Sequence, residues 1–161
     1  MHRVRQFAAH LRARVTPEET SLAHRILPAD AAALFDGMPV ADRRHALDVV
    51  DRLLAAGQDD SDLLAAALLH DAAKGHRMRL WHRVAGVLLE AFAPATLQRL
   101  ASPDPRSWRH PFHLYLQHAA LSADLAAAAG CSARATAFIR GAPAAADVHL
   151  WRALEVADDA S

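Results

Sequence analysis

Apolar residues recur at intervals of three and four positions along almost the whole 161-residue chain, and no segment shows the alternation of a half-buried strand. This spacing places apolar side chains along one face of a helix. Alanine and leucine, both strong helix formers, are abundant. The pattern therefore predicts an all-α protein, and the length suits one domain that buries its own hydrophobic core.

Capping residues, prolines and glycines divide the chain into predicted helices. Thr16-Pro17-Glu18-Glu19 has the pattern of a capping box with proline at the first helical position. Two prolines in residues 102–109 indicate a loop. The predicted helices cover residues 16–27, 31–36, 40–57, 61–75, 80–91, a short stretch after Pro94, 111–130, 132–141 and 146–157. The apolar stripes of the third and seventh of these helices are predicted to include Leu54 and Leu125, respectively.

Charge and cysteine content limit the partners and the compartment. Lys+Arg and Asp+Glu balance at 18 each, so bulk charge does not favour nucleic acid or an anionic membrane. The single cysteine, Cys131, fits a reducing compartment. The basic residues at positions 2–5 precede no apolar signal core, and the longest apolar runs are too short to span a bilayer. We expect a cytoplasmic protein that binds neither membrane nor nucleic acid; its oligomeric state stays open.

Ionisable side chains fall on or beside the apolar stripes of four predicted helices. Unpaired buried carboxylates are costly, and two aspartates with three histidines balance poorly as salt bridges. They balance well as ligands of a divalent metal, because imidazole and carboxylate suit Fe, Mn, Zn or Ni. The alternative for each residue taken alone is a hydrogen-bonded core side chain. The residues concerned are His45, His70, Asp71, His118 and Asp158.

The run AAALLHDAAKG at residues 65–75 resembles the core motif of the HD superfamily of metal-dependent phosphohydrolases. His45 stands where the family carries a histidine on the preceding helix. HAALSADLA, which begins at His118, resembles the third-histidine helix of small bacterial members, and LEVAD, which ends at Asp158, resembles the helix of the final aspartate. The resemblance covers roughly residues 40–159, so we expect an HD domain at 40–161 packed with an N-terminal helical extension at 1–39.

The resemblance implies a single-domain helical bundle of the HD type that hydrolyses a small phosphorylated substrate, a nucleotide being one candidate. It implies one divalent ion (Fe, Mn, Ni, Zn or Mg) as cofactor. Asp71, His118 and Lys74 would be the catalytic residues, with His118 at the open face and Lys74 near the phosphate. The implied metal ligands are His45, His70, Asp71 and Asp158.

One departure concerns the second metal of the dinuclear members, which carry further histidines shortly before the final aspartate. Residues 140–143 of this chain are RGAP at that place. A mononuclear site, or an impaired dinuclear one, is therefore expected.

Two other functions stay open at this point. One is a catalytically weak HD-like domain that binds a metal or a nucleotide in a regulatory role. The other is a helical structural protein whose inward polar residues satisfy each other. Lys74 could equally be a solvated lysine that stabilises a helix C-terminus. The basic segment 74–83 could attract an anionic substrate, but a solvated surface is favoured, and Trp81 and Trp108 are interpreted as core or loop anchors.

Overall fold

The computed structural model describes residues 14–75, 78 and 80–161, except for the side chains of Leu80 and Arg83, and within these residues it contains helices and turns but no strand. The prediction of an all-α, single-domain protein is confirmed. A 3₁₀ turn, Ala145–Asp147, precedes the last helix. The nine α-helices of the described residues are α1 (Pro17–Ile26), α2 (Ala29–Asp36), α3 (Val40–Ala55), α4 (Ser61–Leu69), α5 (Leu80–Phe92), α6 (Pro94–Leu100), α7 (His110–Ala128), α8 (Ala133–Arg140) and α9 (Val148–Asp159).

The predicted capping signals form as expected at both ends of the chain. Thr16 Oγ1 accepts a hydrogen bond from the Glu19 N–H at 3.2 Å, and Glu19 Oε2 accepts one from the Thr16 N–H at 2.8 Å. Ser132 Oγ accepts from the Ala135 N–H at the start of α8. Gly141 ends α8 in the left-handed region at φ 72°, which glycine adopts without steric cost.

Helix α4 lies at the centre of the bundle. All seven of its residues from Leu63 to Leu69 are buried, and it contacts α1, α3, α7, α8 and α9. A helix that is apolar on every side is stable only where every side is covered. The His70–Asp71 pair directly follows α4, so the central position of this helix places the pair in the interior, where several helices meet.

The C-terminal end of α4 differs from the prediction, which continued the helix to Gly75. The helix ends at Leu69, and the Ala73 N–H donates to Ser122 Oγ of α7 at 3.0 Å instead of to the Leu69 carbonyl. The Lys74 N–H bonds the Asp71 carbonyl, which is a tighter turn than an α-helix. His70, Asp71 and Lys74 thus lie on a tight turn. The fully buried Ser122 connects this turn to α7 through its hydrogen bond with Ala73.

The described part of the predicted N-terminal extension shares its core with the rest of the chain. Ala23, Ala31 and Phe35 are fully buried in the same apolar cluster as residues of α3, α4, α8 and α9. Positions 1–13 of that extension lie outside the described residues. Helices α5 and α6 contact each other and α7. No described helix is long and apolar enough to cross a membrane.

Four apolar residues predicted on inward faces or as anchors are largely exposed. Leu54 is 40% exposed and Leu125 is 42% exposed, because the buried faces of α3 and α7 are narrower than the predicted stripes. Trp81 and Trp108 are 54% and 68% exposed, so neither is a core residue; Trp108 lies between α6 and α7, where its role as a loop anchor stays a prediction. Trp81 contacts the Phe112 ring edge-on, with ring centroids 6.4 Å apart.

The adjacent leucines of α3 give a matched test of this packing. Leu53 is 1% exposed, whereas Leu54 is 40% exposed. Replacing Leu53 by alanine should lower the free energy of unfolding by about 2–5 kcal/mol, because it leaves a cavity in the core. Leu54→Ala should lower it by less than about 1 kcal/mol. Urea denaturation of both variants measures the difference, and equal losses would contradict the packing of α3.

Candidate metal centre

Three of the predicted ligands converge beside the C-terminal end of α4. His45 comes from α3, His70 directly follows α4, and Asp158 comes from α9. His45 Nε2 lies 2.8 Å from Asp158 Oδ1, and His70 Nε2 lies 3.4 Å from the same oxygen. The ligand atoms of all three lie within 4.8 Å of one another. Ligands at about 2.1 Å from one tetrahedral ion are roughly 3.4 Å apart, so this spacing suits a single metal.

The ring of His70 is oriented by a backbone carbonyl. Its Nδ1 lies 2.9 Å from the carbonyl oxygen of Ala67. A carbonyl can only accept, so Nδ1 carries a hydrogen and donates it, which leaves Nε2 facing the cluster. Within the described residues the buried Nε2 has no hydrogen-bond partner. A histidine whose other ring nitrogen donates to a carbonyl is the usual form of a metal-binding histidine.

Asp71 is 2% exposed and lies beside this group, but outside the convergent set of three. Its Oδ2 accepts a hydrogen bond from Lys74 Nζ at 2.6 Å. Its Oδ1 lies 3.6 Å from His70 Nε2 and, within the described residues, is buried without a hydrogen-bond partner. An unsatisfied buried polar atom costs about 1–3 kcal/mol. A cation between Oδ1 and His70 Nε2 would satisfy both atoms; the role of Asp71 as a ligand stays a prediction.

The charges of the cluster shift the pKa values of its members in opposite directions. Burial lowers the pKa of His70, but the negative charges of Asp71 and Asp158 outweigh it and raise the pKa to about 9. Burial raises the pKa of Asp71, but the charges of His70 and Lys74 hold it well below its usual range. Burial also raises the pKa of Asp158, but the hydrogen bond from His45 and the charge of His70 hold it below its usual range. Without a metal, His70 is therefore a cation between two carboxylates at neutral pH.

His118 of α7 is neutral at neutral pH. Burial lowers its pKa, and the nearby charge of Lys74 lowers it further. Its Nδ1 lies 2.8 Å from the Tyr115 carbonyl oxygen, so Nδ1 donates and Nε2 keeps its lone pair. This tautomer suits accepting a proton or binding a metal better than donating a proton.

A cleft of about 210 Å³ opens beside the cluster. His70, His118 and Asp158 line it together with residues of α8 and α9. His45 and Lys74 are not among the lining residues. A ligand in the cleft would contact three side chains that were predicted as site residues, those of His70, His118 and Asp158.

Several other residues with ionisable side chains lie apart from the cluster. Asp159 is exposed, so its neighbour Asp158 is the residue that faces inward. In the basic segment 74–83, residues 76, 77 and 79 lie outside the described residues, and His82 is buried. His110 and His113 stack on each other with ring centroids 5.7 Å apart.

Three residues of the site were not predicted from the sequence. Ser122 lies four positions after His118, on the same face of α7, and Trp151 lies seven positions before Asp158, on the same face of α9. Helical spacing from the predicted site residues could therefore have found both. Arg140 lines the cleft, although its position was interpreted only as the place of missing histidines.

Comparison of the chain with protein-family models, with curated proteins and with solved structures found no match. The resemblance to the HD superfamily therefore stays a prediction from the motif, and the function has to be argued from the geometry of the cluster and its cleft.

Proposed function

We propose that this protein is a metal-dependent phosphohydrolase that acts on a small phosphorylated compound. The observation that carries the proposal is the buried Nε2 of His70, which the Nδ1 hydrogen bond to the Ala67 carbonyl orients toward the cluster. It lies 3.4 Å from Asp158 Oδ1 and 3.6 Å from Asp71 Oδ1. An arrangement of two carboxylates around an imidazole with its Nδ1 hydrogen fixed is well suited to a divalent ion.

The donor set fits such an ion. His45, His70 and Asp158 would hold it, and Asp71 could add Oδ1 while its Oδ2 stays with Lys74. Two imidazoles favour Mn, Fe, Ni or Zn over Mg²⁺, which prefers oxygen ligands. When bound, the ion would supply Lewis acidity, which lowers the pKa of water and polarises a phosphoryl oxygen.

The remaining side chains fit the hydrolysis of a phosphoester. The neutral His118 would accept a proton from the attacking water at Nε2. The water oxygen would form a bond to phosphorus while the ester P–O bond breaks, and the leaving oxygen would take a proton from solvent. Lys74 would stabilise the negative charge of the phosphate oxygens as a point charge. The products are an alcohol and inorganic phosphate.

The second candidate is a regulatory domain that binds a metal or a nucleotide without turnover. It is favoured by the ion pair between Lys74 and Asp71 at 2.6 Å, because the cation expected to meet the phosphate is already paired. In this reading, the cluster binds its ion and the cleft binds a ligand, but no bond is broken.

Chelator-treated protein reloaded with Mn, Fe, Ni, Zn or Mg tests the proposal against a panel of phosphomonoesters that includes nucleotides. We expect release of inorganic phosphate with at least one metal. Asp158→Asn should lower the rate at least about a hundredfold, because it removes a ligand. Asp159→Asn, a change of the exposed neighbour, is the matched control and should keep full activity. Stoichiometric metal without turnover would favour the regulatory domain, and absence of metal binding would exclude the metal-dependent hydrolase and every form of the regulatory domain except a metal-free nucleotide-binding one.

A further inference from the structure

The cleft beside the cluster has a polar end and an apolar side. His70, His118 and Asp158 form the polar end. Trp151 of α9 contributes apolar surface to the same cleft, whereas Phe138 of α8 borders it from the core and is only 2% exposed. A ligand that fills the cleft would therefore meet metal ligands with one part and the Trp151 ring with the other.

Trp151 is held in a fixed position. It is partly buried and packs against the main apolar core. The backbone of Gly141, at the end of α8, lies near the ring, since a Cβ atom added to this glycine would lie 3.8 Å from Trp151 Cζ2. A ring that packs on the core and lines the cleft needs little reordering when a ligand packs on it.

Charged groups are added to the cleft by Arg140 and Glu155. Arg140 Nη2 lies 2.6 Å from Asp124 Oδ1, and the side chains of this pair are 44% and 66% exposed. Exposed ion pairs contribute little to stability, so Arg140 can turn toward an incoming anion. The carboxylate of Glu155 disfavours a second phosphate elsewhere in the same ligand.

The size of the cleft limits the ligand further. Its volume of about 210 Å³ lies below the roughly 300–1,000 Å³ of pockets for drug-sized ligands. A phosphate with one ring fills such a space, whereas the base of a nucleotide would extend into solvent.

On the basis of the proposed function, we propose that the substrates are small phosphomonoesters whose organic part is an apolar group about the size of one ring. This group packs on Trp151. The phosphate lies at the His70–Asp158 end of the cleft, and Arg140 pairs with one of its oxygens.

Phosphonates test this assignment, because their C–P bond resists hydrolysis and binding can be measured without turnover. Titration calorimetry would compare methylphosphonate, phenylphosphonate and 1-naphthylphosphonate on the protein with and without Zn²⁺. Phenylphosphonate should bind about tenfold more tightly than methylphosphonate. The naphthyl compound should gain less than about twofold over phenyl, because its second ring leaves the cleft.

Substitutions assign the preference to residues. Trp151→Ala should remove the phenyl preference, and Trp151→Leu, which keeps apolar bulk against the core, should reduce it. Arg140→Met should weaken both small phosphonates about tenfold. Trp108→Ala and Arg152→Met, at exposed positions outside the cleft, are the controls. Equal binding of methyl and phenyl compounds, or a phenyl preference that survives in a folded Trp151→Ala, would overturn the proposal. A Trp151-dependent preference without phosphatase activity would support the cleft assignment while the proposed reaction fails.

Discussion

Replacing His70 by alanine should lower the affinity of the protein for Zn²⁺ at least about a hundredfold. His70 is the most deeply buried of the three convergent residues, with 13% of its side chain exposed, against 30% for His45 and 43% for Asp158. Its Nδ1 hydrogen bond to the Ala67 carbonyl fixes the ring before the ion arrives. The variant loses a preoriented ligand, which a solvent molecule replaces only in part. Equilibrium dialysis with metal analysis measures the affinity and the stoichiometry.

A matched substitution separates loss of the ligand from loss of the fold. His149→Ala removes an exposed histidine of α9, the helix that carries Asp158, and should leave Zn²⁺ binding unchanged. Circular dichroism of His70→Ala checks that the helices are intact. Asp158→Asn, at a half-exposed position, should also lose the metal and carries a smaller risk of misfolding. Zn²⁺ binding that is equal in wild type, His70→Ala and Asp158→Asn would exclude the cluster as the metal centre.

The position of the cluster was predictable because its members lie on simple helical patterns. The apolar stripe of α4 continues to the His70–Asp71 pair, so both residues were predicted to face inward. His45 and Asp158 were predicted from their spacing to buried residues of α3 and α9. In each case a periodic local pattern determines which way a side chain points.

Long-range packing explains what the sequence did not predict. The end of α4 at Leu69 depends on the hydrogen bond from the Ala73 N–H to Ser122, whose helix is distant in the chain. The exposure of Leu54 depends on how closely neighbouring helices cover α3. Likewise, Arg140 lines the same cleft as Asp158 only because helices α8 and α9 both border that cleft. None of these features has a local signal.

The affinity for Zn²⁺ should rise about tenfold for each pH unit between about pH 6.5 and 8.5, and level off above pH 9. In the metal-free protein the neighbouring carboxylates raise the pKa of His70 to about 9, so at lower pH the ion must displace a proton from Nε2. Each pH unit below that pKa then costs about a factor of ten. The carboxylates contribute no slope in this range, because their pKa values are lowered and they stay ionised.

Calorimetry of Zn²⁺ binding at pH 7 in buffers of different ionisation enthalpy should show release of about one proton per ion, since His70 starts protonated and ends deprotonated. NMR titration of the metal-free protein provides an independent check. The His70 resonance is assigned by its absence in His70→Gln, and its chemical shift should change near pH 9. His118 should not contribute a proton at pH 7, because burial and Lys74 lower its pKa. If the Zn²⁺ affinity were constant between pH 6.5 and 8.5 and no proton were released, His70 would not be a ligand that loses its proton to the ion. A proton on His70 Nε2 and the metal ion therefore compete for the same position between two carboxylates, and the pH dependence of the Zn²⁺ affinity measures this competition directly.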